Sequence, residues 1–199
     1  MKESNYFDSN EEYEFDLWLD ELAERGYFSY EYHPETITIF PPAKHKFTKV
    51  MKTKLKTVEK TILQGLEYTP DFKMRIIYSP LRLYLEHVLG LVPTIEDEAR
   101  VFYIDTKGTF SKFHDAKYFS AVQKALYHEK GIFVNKIIPN KFWKKTFCPE
   151  AIRWMKNRKK PTERKPCIGT DNYKGFLDKV DKWSEEYTKK LWSDKPEFL

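Results

Sequence analysis

The sequence predicts an α/β fold: a helix, several strands, a second helix, a closing strand, and then a helical extension. Three observations carry this. Ser9-Asn10-Glu11-Glu12 is a capping box, and apolar residues at helical spacing follow it. Two stretches, Tyr68-Thr69-Pro70-Asp71-Phe72 and Val101-Phe102-Tyr103-Ile104-Asp105-Thr106-Lys107-Gly108, sit at the edges of apolar or aromatic runs. The second is four apolar residues that end abruptly in acid, as a buried strand does when its end opens into a polar site. Finally, a helical pattern from about Asp115 to Lys130 closes at Gly131, and the apolar run Ile132 to Ile138 after it is stopped by Pro139.

The first helix runs from about Asn10 to Arg25 and stops at Gly26, with Phe15, Trp18, Leu19 and Leu22 as its apolar stripe. Three residues before Phe15 is Glu12, and four before is Glu11, so acids continue the stripe. Glu12 then has two readings: it caps the helix and favours the positive end of its dipole, or it reaches into a polar site. Glu14 lies off the stripe. The basic block Lys44 to Lys60 reads as a loop and the start of a strand through Leu66, with Lys52, Lys54 and Lys56 alternating onto one strand face. Pro80 to Leu91 reads as an inserted helix with Leu81, Leu85, Val88 and Leu89 apolar, and Glu96-Asp97-Glu98 as a solvated acidic loop. In the helix after Asp105, Phe119, Val122 and Leu126 form the apolar stripe, while Gln123 and Tyr127 share a face.

Pro-Asp, a gap and Asp-x-Lys is a chemical pattern as well as a structural one. Two carboxylates held together repel unless a cation lies between them, and hard oxygen ligands suit Mg²⁺ or Mn²⁺. A lysine two residues after a strand carboxylate faces the same side. Asp71, Asp105 and Lys107 would then face one cavity, an arrangement suited to phosphodiester hydrolysis. The plainer alternative is a turn before one strand and a charged end on another.

These residues resemble the PD-(D/E)xK nuclease superfamily over about Ser9 to Pro139, including phage-type endonucleases that are Holliday-junction resolvase-like, RecB-like nucleases and the transposon-end endonuclease TnsA. The resemblance implies a restriction-endonuclease-like core of helix, three-stranded antiparallel meander, helix and strand. It implies a Mg²⁺-dependent DNA endonuclease encoded by a phage or mobile element, with Asp71, Asp105 and Glu12 as metal ligands and Lys107 as the catalytic cation. It also implies Gln123 and Tyr127 as accessory residues facing the site. A departure is the gap between Asp71 and Asp105, which is longer than a tight hairpin. The alternative reading is a nucleic-acid-binding or virion-associated protein on an inactive nuclease fold.

Charge is segregated along the chain. Residues 1–40 hold eleven acids and only two basic residues, Lys2 and Arg25; residues 41–60 hold seven lysines and one acid. Residues 136–165 hold eight lysines and three arginines against two acids. Such blocks suit a polyanion, so Lys144, Lys145, Arg158 and Lys159 join Lys52, Lys54 and Lys56 as expected DNA contacts. Phe142, Trp143, Phe147 and Trp154 interleave with the second block and would stack on unpaired bases. Three segments follow: a core over 1–139, a basic aromatic segment and mobile linker over 140–170, and an amphipathic helix over 171–199 that docks back or binds a partner. No run of about 18 apolar residues implies a membrane span, and no apolar stretch marks a signal peptide. Cys148 and Cys167 are too few for zinc and are expected as reduced thiols in a cytoplasm, the host's if the gene is a phage's. A branched substrate would call for a homodimer.

Overall fold

The architecture comes from a computed structural model that describes residues 6–108, 113–155 and 161–193. In chain order, α1 (Asn10–Ala23) leads into β1 (Phe28–Tyr32). Next come β2 (Ile37–Phe40), β3 (Ala43–Val50), β4 (Leu55–Leu63) and β5 (Leu66–Tyr68). Then follow β6 (Phe72–Ile76), α2 (Ser79–His87), β7 (Thr94–Glu96) and β8 (Ala99–Thr106). The chain continues through α3 (Phe113–Lys130), β9 (Val134–Ile137) and two short helical turns, α4 (Pro139–Phe142) and α5 (Glu150–Arg153). It ends in a small hairpin, β10 (Trp154–Met155) with β11 (Thr162–Glu163), and the long helix α6 (Tyr173–Ser193).

One five-stranded mixed sheet organises these pieces. β1, β6 and β8 form an antiparallel meander, β7 pairs antiparallel with the start of β8, and β9 pairs parallel with its end. The helix α3 links the parallel pair, as a crossover between parallel strands requires. Both sheet faces are buried, and β8 shows why its sequence is apolar throughout. Phe102 and Ile104 point into the larger core with α1, while Val101 and Tyr103 point to the other side with Val122 and Leu126 of α3.

The capping box forms as the sequence predicts: the Glu12 backbone N–H donates to Ser9 Oγ at 3.2 Å, and Ser9 Oγ–H donates to Glu12 Oε1 at 2.8 Å. Gly26, at φ +74°, closes the helix four residues past the stripe's last member, Leu22, in a left-handed conformation that favours glycine. The apolar stripe of α1 lies in the core, where Phe15 meets Phe72 edge-on at 5.2 Å and Trp18 stacks between Phe28 and Phe147. The inserted helix is α2, a little shorter than expected.

Four expectations need correction. The block from Lys44 is a complete β-hairpin, β3 with β4, in place of a loop and one strand; Lys52 and Thr53 form its turn, so only Lys56 of the three alternating lysines lies in a strand. Phe142, Trp143 and Phe147 are buried in the main core and are closed to nucleobases; of the four interleaved aromatics only Trp154 is exposed. Cys148 and Cys167 are joined in a disulfide, bringing together two residues 19 apart in sequence that are both buried in that core. The stretch read as a mobile linker is packed from residue 161 onward: Arg164 pairs with Glu14 at 2.7 Å and Arg153 with Glu163 at 2.8 Å. Arg158 and Lys159 lie outside the described residues.

The C-terminal helix docks back. Phe176, Leu177 and Val180 of α6 join the main core, and Tyr84 of α2 meets Phe176 and Trp183 edge-on. Among the described residues, no helix is long and apolar enough to cross a membrane.

Candidate functional site

Sheet register determines where the acids go. Phe72 of β6 pairs with Ile104 of β8, so one further step along the same register sets Asp71 opposite Asp105. Opposed residues of an antiparallel pair share a face. The two carboxylates therefore emerge together where β6 begins and β8 ends, on the face that also carries Val101, Tyr103 and α3. Asp105 is 3% exposed and Asp71 is half-buried.

Each carboxylate is held by specific donors. Asp71 Oδ2 accepts from the Thr106 backbone N–H at 2.6 Å and from Thr106 Oγ1–H at 2.8 Å. Asp105 Oδ1 accepts from the Tyr68 hydroxyl at 2.7 Å, and the Lys107 ammonium lies 2.7 Å from Asp105 Oδ2. The two-residue spacing of Asp105 and Lys107 thus puts both on one face, as expected for a strand. Beyond β8, the Lys107 N–H donates to the Ile137 carbonyl at 2.8 Å, so β9 anchors the backbone beneath the lysine.

Electrostatics links the acids. The Asp71 carboxyl is pushed up from 3.8 to about 6, first by burial, then by the charge of Asp105, with a smaller contribution from Glu12; the Thr106 hydrogen bonds act the other way. Burial and the same two aspartates also push the Tyr68 hydroxyl upward, so it stays protonated and donates to Asp105. A like-charge cluster that holds a proton near neutrality is one whose ionised form a cation would relieve. Oxygen donors from Asp71 and Asp105, two carboxylates on one face, fit a hard divalent ion such as Mg²⁺ or Mn²⁺.

Glu12 satisfies both of its sequence readings in part. It caps α1 with Ser9, and its Oε2 accepts from the Tyr32 hydroxyl at 2.7 Å and the Asp8 N–H at 3.2 Å. Its charge still reaches Asp71. The neighbouring Glu11 comes closer to the Asp-x-Lys loop: its Oε1 is so near Gly108 that a Cβ there would sit 2.7 Å from it. A residue with no side chain is therefore needed after Lys107 unless Glu11 swings away. Glu14 faces elsewhere, held by Arg164. Asp8, Glu12 and His33 also present one ligand atom each within 4.8 Å of one another, next to the strand that carries Asp71.

Gln123 and Tyr127 do not join these acids. Gln123 Nε2–H donates to the Val134 carbonyl at 2.6 Å, at the start of β9, whereas Lys107 meets its far end. With Val92, Lys124, His128 and Phe133 the two residues line a separate apolar cleft of about 460 Å³. Their shared helix face is real, but it is turned to the other end of the closing strand. Glu96, read as part of a solvated loop, is engaged in β7 by Lys73 at 2.8 Å and by the Tyr103 hydroxyl. Lys144 and Lys145 are exposed on the segment after α4.

Sequence reasoning missed Tyr68 and Thr106. Both were in plain view: Tyr68 stands three residues before Asp71, and Thr106 is the unnamed middle residue of Asp-x-Lys. The available signal was the proximity of hydroxyl side chains to carboxylates expected to be crowded. Comparison with models of known protein families, with curated proteins and with solved structures returns no match.

Proposed function

We propose that this protein is a Mg²⁺- or Mn²⁺-dependent DNA endonuclease with a restriction-endonuclease-like core of the PD-(D/E)xK type. The observation that carries the reading is the pairing of Asp71 and Asp105 on one face at the end of β6 and β8, where burial and then the charge of Asp105 push Asp71 to about 6, with Lys107 beside them. The order of α1, the β1–β6–β8 meander, α3 and the parallel β9 is compatible with such a core.

In this reading Asp71 and Asp105 would hold the metal, and Glu12 would add negative charge behind them. A bound divalent ion would polarise the phosphate and make its own water more acidic. Lys107, which stands beside Asp105, would donate hydrogen bonds to the phosphate oxygens where charge develops. Tyr68 keeps Asp105 oriented by its hydrogen bond, and Thr106 does the same for Asp71. The reaction is in-line attack: the water oxygen forms a bond to phosphorus, the P–O bond to the leaving sugar oxygen breaks, one proton of the water leaves to solvent, and solvent returns a proton to the leaving oxygen.

The test is incubation with four-way, flap, duplex and single-stranded DNA in Mg²⁺ or Mn²⁺, with Asp71→Asn and Asp105→Asn in parallel. Cleavage by the parent that drops by 100-fold or more in both variants is the expected result, given what metal and charge stabilisation contribute to such chemistry. A second reading has an observation of its own. Lys107 already pairs with Asp105, and hydroxyl or backbone donors already engage one oxygen of each acid. This favours a nucleic-acid-binding protein on an inactive nuclease fold. No cleavage of any substrate, with Mg²⁺ leaving thermal stability unchanged, would decide for it.

A further inference from the structure

The β3–β4 hairpin stands almost wholly in solvent, with only Ala43 and Val58 partly covered along its two strands. It is rooted beside the acids. β2 pairs with β5 at its base, and β5 ends at Tyr68, the residue that donates to Asp105. At the junction, Pro41-Pro42 faces Gly65, where a Cβ would lie 3.1 Å from the Phe40 carbonyl oxygen and 3.3 Å from the Pro42 ring. At roughly 3.4 Å per residue, the eight residues of β3 carry the hairpin about 27 Å outward.

Its two faces differ in charge. Register places Lys44, Lys46, Thr48 and Val50 opposite Thr61, Glu59, Thr57 and Leu55 on one face. There Glu59 lies 3.6 Å from Lys44 and 3.9 Å from Lys46, so one acid partly offsets the two cations. The other face carries the pairs His45–Lys60, Phe47–Val58 and Lys49–Lys56, continued by Lys54 at the turn. That face has four lysines and no acid, and among the described residues none of the four is in an ion pair. Phe47 and Met51, 40% and 45% exposed, lie along it. An apolar interior would not leave lysines alternating with these groups, and like charges directly opposite, as at Lys49 and Lys56, are unfavourable without a counter-charge.

We infer that the β3–β4 hairpin is a duplex-binding arm whose Lys49, Lys54, Lys56 and Lys60 face grips the two phosphate backbones of a nucleic-acid major groove. A two-stranded ribbon is the width that groove admits, and Phe47 and Met51 supply apolar contact between the flanking lysines. The arm delivers duplex to the end of the sheet where Asp71 and Asp105 stand. The inference rests on the nucleic-acid part of the proposed function and needs no catalysis.

The test uses the full chain in EDTA, which removes metal chemistry from the readout. Binding of a 20-base-pair duplex and of one of its single strands is measured over a range of salt for the parent, for K49Q/K54Q/K56Q/K60Q, and for the opposite-face control K44Q/K46Q. Circular dichroism checks folding; the substituted side chains are exposed. The expected result is duplex binding tighter than single-strand binding. The four-lysine variant should lose 10-fold or more in affinity, its salt slope falling by about three to four units, while the control stays within about threefold. Equal losses in the two variants, no loss in the four-lysine variant, or tighter binding to the single strand would overturn the arm. So would a parent dimer in sedimentation that Phe47→Ser abolishes without changing DNA affinity, because the face would then belong to a second copy. Cleavage in Mg²⁺ is assayed in parallel, which separates failure of the arm from failure of the nuclease site: a four-lysine variant that loses duplex affinity in EDTA supports the arm even if the parent cleaves nothing.

Discussion

The acid-bearing end of the sheet and the β3–β4 hairpin are joined by two short strands, yet they obey opposite rules. At the sheet end, charge is buried, and every carboxylate needs a donor: Thr106 for Asp71, Tyr68 and Lys107 for Asp105, Ser9 and Tyr32 for Glu12. On the hairpin, charge is solvated and the four lysines of one face have no such partners among the described residues. Buried charge without a partner is costly, while solvated charge costs little, so only the first region constrains its neighbours tightly. The contrast teaches that substitution should be felt as stability at the sheet end and as affinity on the hairpin.

The largest expected difference lies in the core beneath each region. Trp18→Ala removes a fully buried ring stacked between Phe28 and Phe147 and should destabilise by about 3–5 kcal/mol in urea unfolding. Phe47→Ala on the hairpin should change stability by less than about 0.5 kcal/mol, because its ring is already well exposed. A hairpin substitution that cost as much as the core one would show that the ribbon is packed against something and would break the comparison.

Reducing the Cys148–Cys167 disulfide comes next. The bond closes a loop of 19 residues' separation, and losing it should lower stability by about 3 kcal/mol in the loop-entropy account. The paired variant Cys148→Ser/Cys167→Ser should show the same loss without reductant. Neither should alter duplex affinity in EDTA, since the hairpin lies elsewhere in the fold.

A pH experiment addresses the sheet end directly. The folded Asp71 carboxyl titrates near 6 and its unfolded reference is 3.8, so between those values the folded protein binds more protons. Stability of the metal-free protein therefore falls as pH rises through that window. Asp71→Asn removes the penalty while its amide oxygen still accepts from Thr106. The gain should be at most about 3 kcal/mol at pH 8 and close to nothing below pH 3.5. Urea unfolding at both pH values checks it; equal effects at the two would mean that neither burial nor the Asp105 charge raises the Asp71 carboxyl.

What was legible in the sequence follows the same division. The acids, the lysine, the capping box, α2 and α3 could be read because period and punctuation are local signals. The antiparallel neighbourhood of the Asp71 and Asp105 strands was inferred from their order, and the register bears out their pairing. The hairpin was read as half its length because lysine and threonine dominate both strands, and an exposed ribbon has no apolar face to announce it. Phe142, Trp143 and Phe147 were misplaced for the converse reason: basic neighbours suggested a surface, while long-range packing against Trp18 decided burial. The face shared by Gln123 and Tyr127 was read correctly from i,i+4 spacing, but spacing cannot say which end of β9 that face overlies.

The smallest effect sharpens the comparison at Glu12, where capping and site electrostatics meet. Ser9→Ala removes the side chain that accepts from the Glu12 N–H, and should cost about 1 kcal/mol of stability. It leaves the Glu12 charge in place, so the Asp71 carboxyl should titrate as in the parent. Glu12→Gln should act in the opposite pattern. Its one side-chain oxygen can still accept from Tyr32, and its amide N–H can donate to Ser9 Oγ in place of the bond that Ser9 gave Glu12, so stability changes little. Its lost negative charge, the smallest of the three influences that raise Asp71, should move that carboxyl slightly downward. Carbon-detected NMR titration of Asp71 in the parent and both variants reads the difference. If Ser9→Ala moves Asp71 and Glu12→Gln does not, Glu12 acts on the site through helix geometry alone, and its charge has no part in the metal site.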